Sequence, residues 1–139
     1  MNAIEQRFFD LTNLQRSRSR VTPLAADSVL ADIARLHSED MLRRRFFSHV
    51  NPDRQTPADR VAAVVGRRAR ASAENIWMRS GAVPPTGLSR LVDDAFAQLM
   101  ASPAHRSNIL NARLTHLGVG VASTASELRI TQLFARFEG

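Results

Sequence analysis

A chain of 139 residues that is 44% hydrophobic and 23% charged is sized for one globular domain burying about 68–70% of the surface its unfolded form exposes. It has no cysteine, which excludes a disulfide framework, a thiolate metal site and a cysteine nucleophile. No run of 18 apolar residues suggests a membrane-spanning helix. The formal net charge of +6 directs attention to anionic partners: nucleic acid, lipid headgroups or acidic wall polymers.

In the first segment, Ile4, Phe8, Leu11 and Leu14 fall at helical spacing with charges between them, predicting a helix over 3–16 and offering no signal-peptide core. Ser17-Arg18-Ser19-Arg20 and then Thr22-Pro23 break that pattern. Over 24–46, Leu30, Ile33, His37 and Met41 form one apolar stripe, predicting a long amphipathic helix with His49 at its exit. Thr56-Pro57-Ala58-Asp59 reads as an N-cap, a first-turn proline and a capping acid, with Gly66 as the stop. Residues 73–78 suit a strand or an extended entry around Glu74 and Asn75, and 84–87 suit a loop. Leu91, Val92, Ala95, Phe96 and Leu99 restore helical spacing over 88–100, and Ser102-Pro103 starts a brief turn carrying His105, ending by Asn111. The tail changes period: Leu117, Val119 and Val121 alternate with small residues, and 128–137 is apolar on both parities, as in a strand covered on both faces. Helices first and a hairpin last predict an α+β domain with helices on both sides of a small antiparallel sheet.

His49, Glu74 and His105 each stand at the edge of a predicted element. Two imidazoles and a carboxylate are the material of a metal site or an acid/base site, provided they meet. The landmarks around them are Asn13-x-x-Arg16, Pro23-Leu24, His37-Ser38-x-Asp40-Met41, Phe46-Phe47-Ser48-His49-x-x-Pro52, Glu74-Asn75-Ile76, Ser102-Pro103-x-His105-Arg106-x-Asn108-Ile109-Leu110 and Leu117-Gly118-Val119-Gly120-Val121-Ala122. Together, and in this order along nearly the whole chain, they resemble the bacterial branch of the CAP superfamily. Its members are the SCP-like extracellular domains, akin to cysteine-rich secretory, antigen 5 and plant pathogenesis-related proteins. The resemblance implies a three-layer α-β-α sandwich, a single domain over residues 1–139, and an extracellular or cell-envelope location, with any export signal outside this stretch. It also implies a central cleft lined by two histidines and two glutamates, with His49, Glu74 and His105 as three of the four. The second glutamate follows a W-x-x-E pattern on the penultimate helix; here 96–102 offers no acid, and Asp93 and Asp94 come too early. A complete tetrad is not expected.

His49 and His105, with Glu74 as an optional third ligand, would suit a divalent ion such as zinc, and the same groups within hydrogen-bonding reach would exchange protons. A ligand-free hydrogen-bond network would use the same residues. Ser102 reads as an N-cap and Ser48 lacks a nucleophile-elbow context. His37 reads as a core histidine, His116 as a strand-edge residue, Trp77 as core or cleft mouth, and Asp40 with Arg16 as a structural pair. All 19 basic residues are arginine, a skew consistent with coding bias, and the clusters Arg43-Arg44-Arg45 and Arg67-Arg68-Ala69-Arg70 lack the interleaved aromatics of a single-strand binding surface. The resulting expectation is an exported, monomeric bacterial domain. Its cleft takes a small ligand, lipid, envelope component or divalent metal rather than nucleic acid, without established catalysis. The alternatives are a hydrolase using the cleft histidines and a basic module for nucleic acid or anionic surface polymers.

Overall fold

The computed structural model describes residues 1–81 and 87–137. Their order is α1 (Ala3–Arg18), β1 (Ala25–Ala26), α2 (Ser28–Arg43), α3 (Pro57–Val65), β2 (Ala71–Ser80), α4 (Leu88–Ala101), α5 (Pro103–Ile109), β3 (His116–Ser123) and β4 (Glu127–Arg136). Local chemistry sets the ends of α1 and α3. Asn2 with Glu5, and Thr56 with Asp59, close reciprocal capping boxes, Pro57 opens α3, and Gly66 ends it in the left-handed conformation at φ 82. The loop expected over 84–87 falls partly on residues 84–86, outside the described residues; Gly87 is the N-cap of α4.

Two expectations are corrected. Helix α2 does not begin at Leu24: Ala25 and Ala26 pair with β3, and the Asp27 side chain accepts from the Leu30 amide to start the helix. The apolar pattern ran through this boundary because Leu24 is also buried, but in the opposite core layer from Leu30. Arg16 and Asp40 do not pair, because α1 and α2 bury their apolar residues in different layers. Arg16, fully buried, donates to the carbonyls of Thr22, Ile109 and Asn111 at 2.8–3.0 Å, and burial holds its pKa below the ordinary arginine value. Asp40 instead holds Arg43 and Arg44.

The sheet order is β1-β3-β4-β2. Strands β3, β4 and β2 are antiparallel as expected, and β1 adds a short parallel edge through Ala25↔His116 and Ala26↔Leu117. Strand β2 is a full ten-residue strand, which resolves the choice left open for 73–78. One face carries the Leu30, Ile33, Ala34, Val61 and Leu133 cluster under α2 and α3; the other carries Phe8, Phe96, Leu99, Ile109, Ile130 and Phe134 under α1, α4 and α5. The sandwich expected from the sequence is therefore present. On the α1 side, the Asn13 amide bonds both the N–H and the carbonyl of Leu24, standing in for a strand partner.

Helix α2 lies directly on the sheet because Gly118 and Gly120 have no side chains. A Cβ on Gly118 would enter the backbone of Leu30 and Ala31, and one on Gly120 that of Ala34 and Arg35. Ser38 fixes the contact by donating to the Gly120 carbonyl at 2.9 Å and lying 2.7 Å from the Thr131 hydroxyl. Because the obstacle is helix backbone rather than a mobile side-chain end, Gly120→Ala is expected to destabilise the domain by about 3 kcal/mol or more. Urea denaturation checks this; a loss under about 1 kcal/mol would contradict the close packing.

Candidate functional site

Strand β2 lies at the sheet edge, and its alternation sends neighbouring side chains to opposite layers. Glu74 faces α2 and α3, while Asn75 faces α4 and α5. The backbone carbonyl of Glu74 is approached by the Asn108 amide at 3.4 Å, which helps cover the exposed edge. Asn75 accepts from Asn108 at 2.8 Å and donates to Gln132 and to the His105 carbonyl, each at 3.0 Å. One dipeptide thus anchors the helix that carries His105 and receives the loop that carries His49.

On the other face Glu74 is 5% exposed, and its carboxylate meets three nitrogens from two side chains. Oε1 accepts from His49 Nδ1 at 2.9 Å and from Arg60 Nη2 at 3.1 Å. Oε2 lies 2.9 Å from Arg60 Nη1, close enough for ion pairing but not aligned as a hydrogen bond. The same Arg60 Nη2 donates to the His49 carbonyl at 2.8 Å, so one guanidinium fixes both the carboxylate and the loop. Arg60 itself is 8% exposed. A buried carboxylate requires such a partner, because an isolated charge there would carry a large desolvation cost.

His37 completes the back of the site. Its Nε2 donates to the Ser48 carbonyl at 2.9 Å, leaving Nδ1 buried without a partner, and Nε2 lies 3.8 Å from Glu74, too far for a hydrogen bond. Burial pushes its pKa below the ordinary imidazole value and Arg60 adds to that, while Glu74, the Ser48 carbonyl and Asp40 oppose the shift. It is the core histidine expected from the stripe. A cavity of about 310 Å³ lies beyond it, against Ile33, His37, Asp40, Arg44, Asn51 and Arg60.

His49 and His105 are the open side. The His49 side chain is 48% exposed, and with Nδ1 donating to Glu74 its neutral form leaves Nε2 as the lone-pair nitrogen. His105 Nδ1 lies 2.8 Å from the Ser102 hydroxyl, and its pKa is held below the ordinary value by burial and then by nearby His49. Ser102 occupies the N-cap position of α5 without making the expected cap bond, because its side chain turns to His105. Trp77 packs partly buried on the core and donates to Gln98 at 2.9 Å. Gln98 lies in the helical stretch where no acid was found.

The structure therefore brings His49 to Glu74 and places His49 and His105 within electrostatic reach of each other. It also introduces Arg60, which sequence reasoning missed. Its one signal was position: the Thr56-Pro57 cap fixes the phase of α3, and Arg60 adjoins buried Val61 rather than an exposed run. Among the described residues, no group of three or more His, Asp or Glu is arranged to hold a metal ion. The acid of the expected two-histidine, one-glutamate set is paired with the Arg60 guanidinium. The two imidazoles remain.

The sequence matches the cysteine-rich secretory protein family, CAP, over residues 9–134. It is 32% identical over 126 residues to the Bacillus subtilis protein YkwD, covering 91% of this chain and 45% of YkwD. The fold is similar to that of an extracellular SCP-domain protein from Bacillus anthracis, with a TM-score of 0.77 and 36% identity over 97% of this chain and 41% of that one. An outer surface protein from Borrelia burgdorferi shares the fold at a TM-score of 0.80 and 16% identity, covering 97% of this chain and 93% of that one. The chain thus spans less than half the length of YkwD and of the B. anthracis protein. No described helix is long and apolar enough to cross a membrane.

Two outcomes are expected from this geometry. Arg60→Met should cost about 3–5 kcal/mol in urea denaturation by stranding Glu74, whereas Arg60→Met combined with Glu74→Leu should cost clearly less; a single-variant loss below about 1 kcal/mol would contradict the lock. Because the folded-state pKa of His37 is depressed, its contribution is fully present above the unfolded value of about 6.5 and is lost as pH falls, since the unfolded chain then binds the proton more readily. An NMR titration of the His37 ring should give a midpoint below 6.5, and a midpoint at or above it would contradict the buried neutral form.

Proposed function

The chain belongs to the CAP, or cysteine-rich secretory protein, family, and on that premise we propose that it is an extracytoplasmic bacterial binding domain without catalysis of its own. Its cleft would present the imidazoles of His49 and His105 to a small ligand. The observation that carries this reading is the commitment of Glu74: its carboxylate is engaged by Arg60 and His49, and no other acid among the described residues completes a metal site with the histidines. A general base needs a free lone pair in reach of substrate, and this carboxylate has its charge balanced and its accessible surface nearly closed. What stays available is a pair of imidazole nitrogens at a partly exposed surface. Such a pair suits weak, reversible ligation of a divalent cation, or hydrogen bonding to a small polar ligand.

The support for an extracytoplasmic setting is the likeness to the extracellular B. anthracis protein. The basic-surface reading has less support. Arg7, Arg35, Arg43, Arg44, Arg60, Arg68 and Arg129 all contact carboxylates, and Arg16 is buried on carbonyls. Much of the basic charge is therefore balanced within the domain rather than presented to a polyanion.

A hydrolase has one observation in its favour, the 2.8 Å approach of Ser102 to His105, which is the distance between a nucleophile and its base. That pair has no acid hydrogen-bonded to His105 among the described residues. A fluorophosphonate probe is expected to leave Ser102 unlabelled; labelling that disappears in Ser102→Ala would replace the binding reading with a catalytic one. For the binding reading, zinc titrated calorimetrically into the wild-type protein is expected to give a weak one-site isotherm that is reduced at least tenfold in His49→Ala with His105→Ala. Equal heats from both proteins would remove cation binding from this cleft.

A further inference from the structure

The cavity of about 310 Å³ beyond His37 is a site separate from the cleft: it lies between α2 and α3, and His49, Glu74 and His105 do not border it. Its volume is at the lower end of the range that holds small molecules, roughly 300–1,000 Å³. The floor is polar and buried, made by His37 at 2% exposure and Arg60 at 8%. The mouth is apolar and open, with Leu36 and Val64 exposing 62% and 59% of their surface and Ala63 exposed between the helices.

Both floor residues keep a nitrogen that no described protein group satisfies, Nδ1 of His37 and Nε of Arg60. Their remaining bonds are spent on the cleft side. His37 Nε2 donates to the Ser48 carbonyl at 2.9 Å, and Arg60 Nη2 donates to the His49 carbonyl at 2.8 Å and to Glu74 at 3.1 Å. With the proton on Nε2, the neutral imidazole presents Nδ1 as an acceptor, whereas Arg60 Nε is a permanent donor. Buried polar atoms of native proteins are rarely left unpaired, so one acceptor and one donor on the same floor ask for a complementary group. Charge does not supply it. At the rim Arg44 holds Asp40 at 2.6 Å and Asp53 at 2.9 Å, Arg43 adds a 3.1 Å contact to Asp40, and Arg60 is balanced by Glu74. Asn51 and Gln55, which also border the cavity, bond each other at 3.0 Å.

We propose that this cavity binds a small uncharged carboxamide. Its carbonyl accepts from Arg60 Nε, its N–H donates to His37 Nδ1, and its short alkyl group lies against Ile33, Leu36 and Val64. A carboxamide carries a donor and an acceptor on one carbon, the pairing that the floor presents in reverse. A carboxylate would set a second acceptor against the His37 lone pair, and an amidinium would set a second donor against the Arg60 N–H. An alcohol would have to serve both nitrogens from a single oxygen. The balanced rim gives neither ion a compensating attraction.

The test compares isobutyramide with isobutyrate, isobutyramidine, isobutanol and N,N-dimethylisobutyramide at pH 7. Binding is followed by the backbone amide shifts of Leu36, Ala63 and Val64 and by the side-chain nitrogen resonances of His37 Nδ1 and Arg60 Nε. Isobutyramide is expected to bind saturably, to move both side-chain resonances, and to bind at least tenfold more tightly than each of the other probes. The dimethyl amide keeps the carbonyl and lacks the donor, so its loss isolates the His37 half of the site. Ala63→Phe, on the exposed surface of α3, is expected to fill the mouth and weaken isobutyramide about tenfold with the domain still folded. His49→Ala with His105→Ala is expected to leave the affinity unchanged, so this site and the cleft reading fail separately. Absence of saturable shifts, which would assign both nitrogens to solvent alone, would overturn the proposal. So would equal affinity for the alcohol, an ion or the dimethyl amide, an unchanged affinity in Ala63→Phe, or a loss of binding in the double histidine variant.

Discussion

Neighbouring side chains on a strand leave by opposite faces, and at Glu74 and Asn75 that elementary fact joins the two helical layers at the edge of one sheet. Glu74 reaches the α2–α3 layer, where Arg60 and His49 hold it. Asn75 reaches the α4–α5 layer, where Gln132, Asn108 and the carbonyl of His105 hold it. Neither half could be moved to the other face without a one-residue register slip, which would also expose Ile76 and bury Trp77 and Arg79 differently. The two histidines come to one side of the molecule because their loop and helix are tied to consecutive residues of the same strand. The opposite side of the sheet uses a related device: the carboxylate of Glu5, held by Arg35, accepts from the Val121 amide of β3. Burial alone would raise the Glu5 pKa, but Arg35 and the Asn2 and Val121 amides outweigh it and keep the group ionised.

The buried ion pair of Arg60 and Glu74 sets the charge at the back of the cleft. Removing one partner from such a pair is strongly destabilising, whereas the pair itself adds little net stability over apolar side chains of similar size. Its contribution is therefore positional: one Arg60 guanidinium fixes both the His49 backbone and the Glu74 carboxylate. On the binding reading proposed above, the cleft would then offer imidazole nitrogens and little negative charge. The protein resembles its family in architecture and departs from the expected four-residue cleft in this local electrostatic arrangement.

Much of this architecture was legible in the residues. The capping signals of α3 and its Gly66 stop were correct because caps are local chemistry, decided within four residues. The α2 stripe and the both-face burial of β4 were correct because periodicity reports burial directly. Strand β1 was missed because two alanines have no period to read, and the start of α2 was misplaced because Leu24 is apolar for a different layer. In the cleft, His49, Glu74 and His105 were named from motifs, but Arg60 was not. Its partner is fourteen residues away across a helix–strand packing contact, and an arginine on a helix usually points to water. Ser102 shows the reverse case: its position was read correctly as an N-cap, while its hydroxyl was drawn to His105 three residues on, a neighbour at helical spacing.

The central claim is that Arg60, rather than a metal ion, balances Glu74. A crystal structure of the wild-type protein grown with zinc at neutral pH tests it most directly. The account expects Arg60 to remain paired with Glu74 near the 2.9 Å separation described above, with any zinc density lying against His49 and His105 alone. Zinc coordinated by the Glu74 carboxylate, with the Arg60 guanidinium swung away, would contradict it.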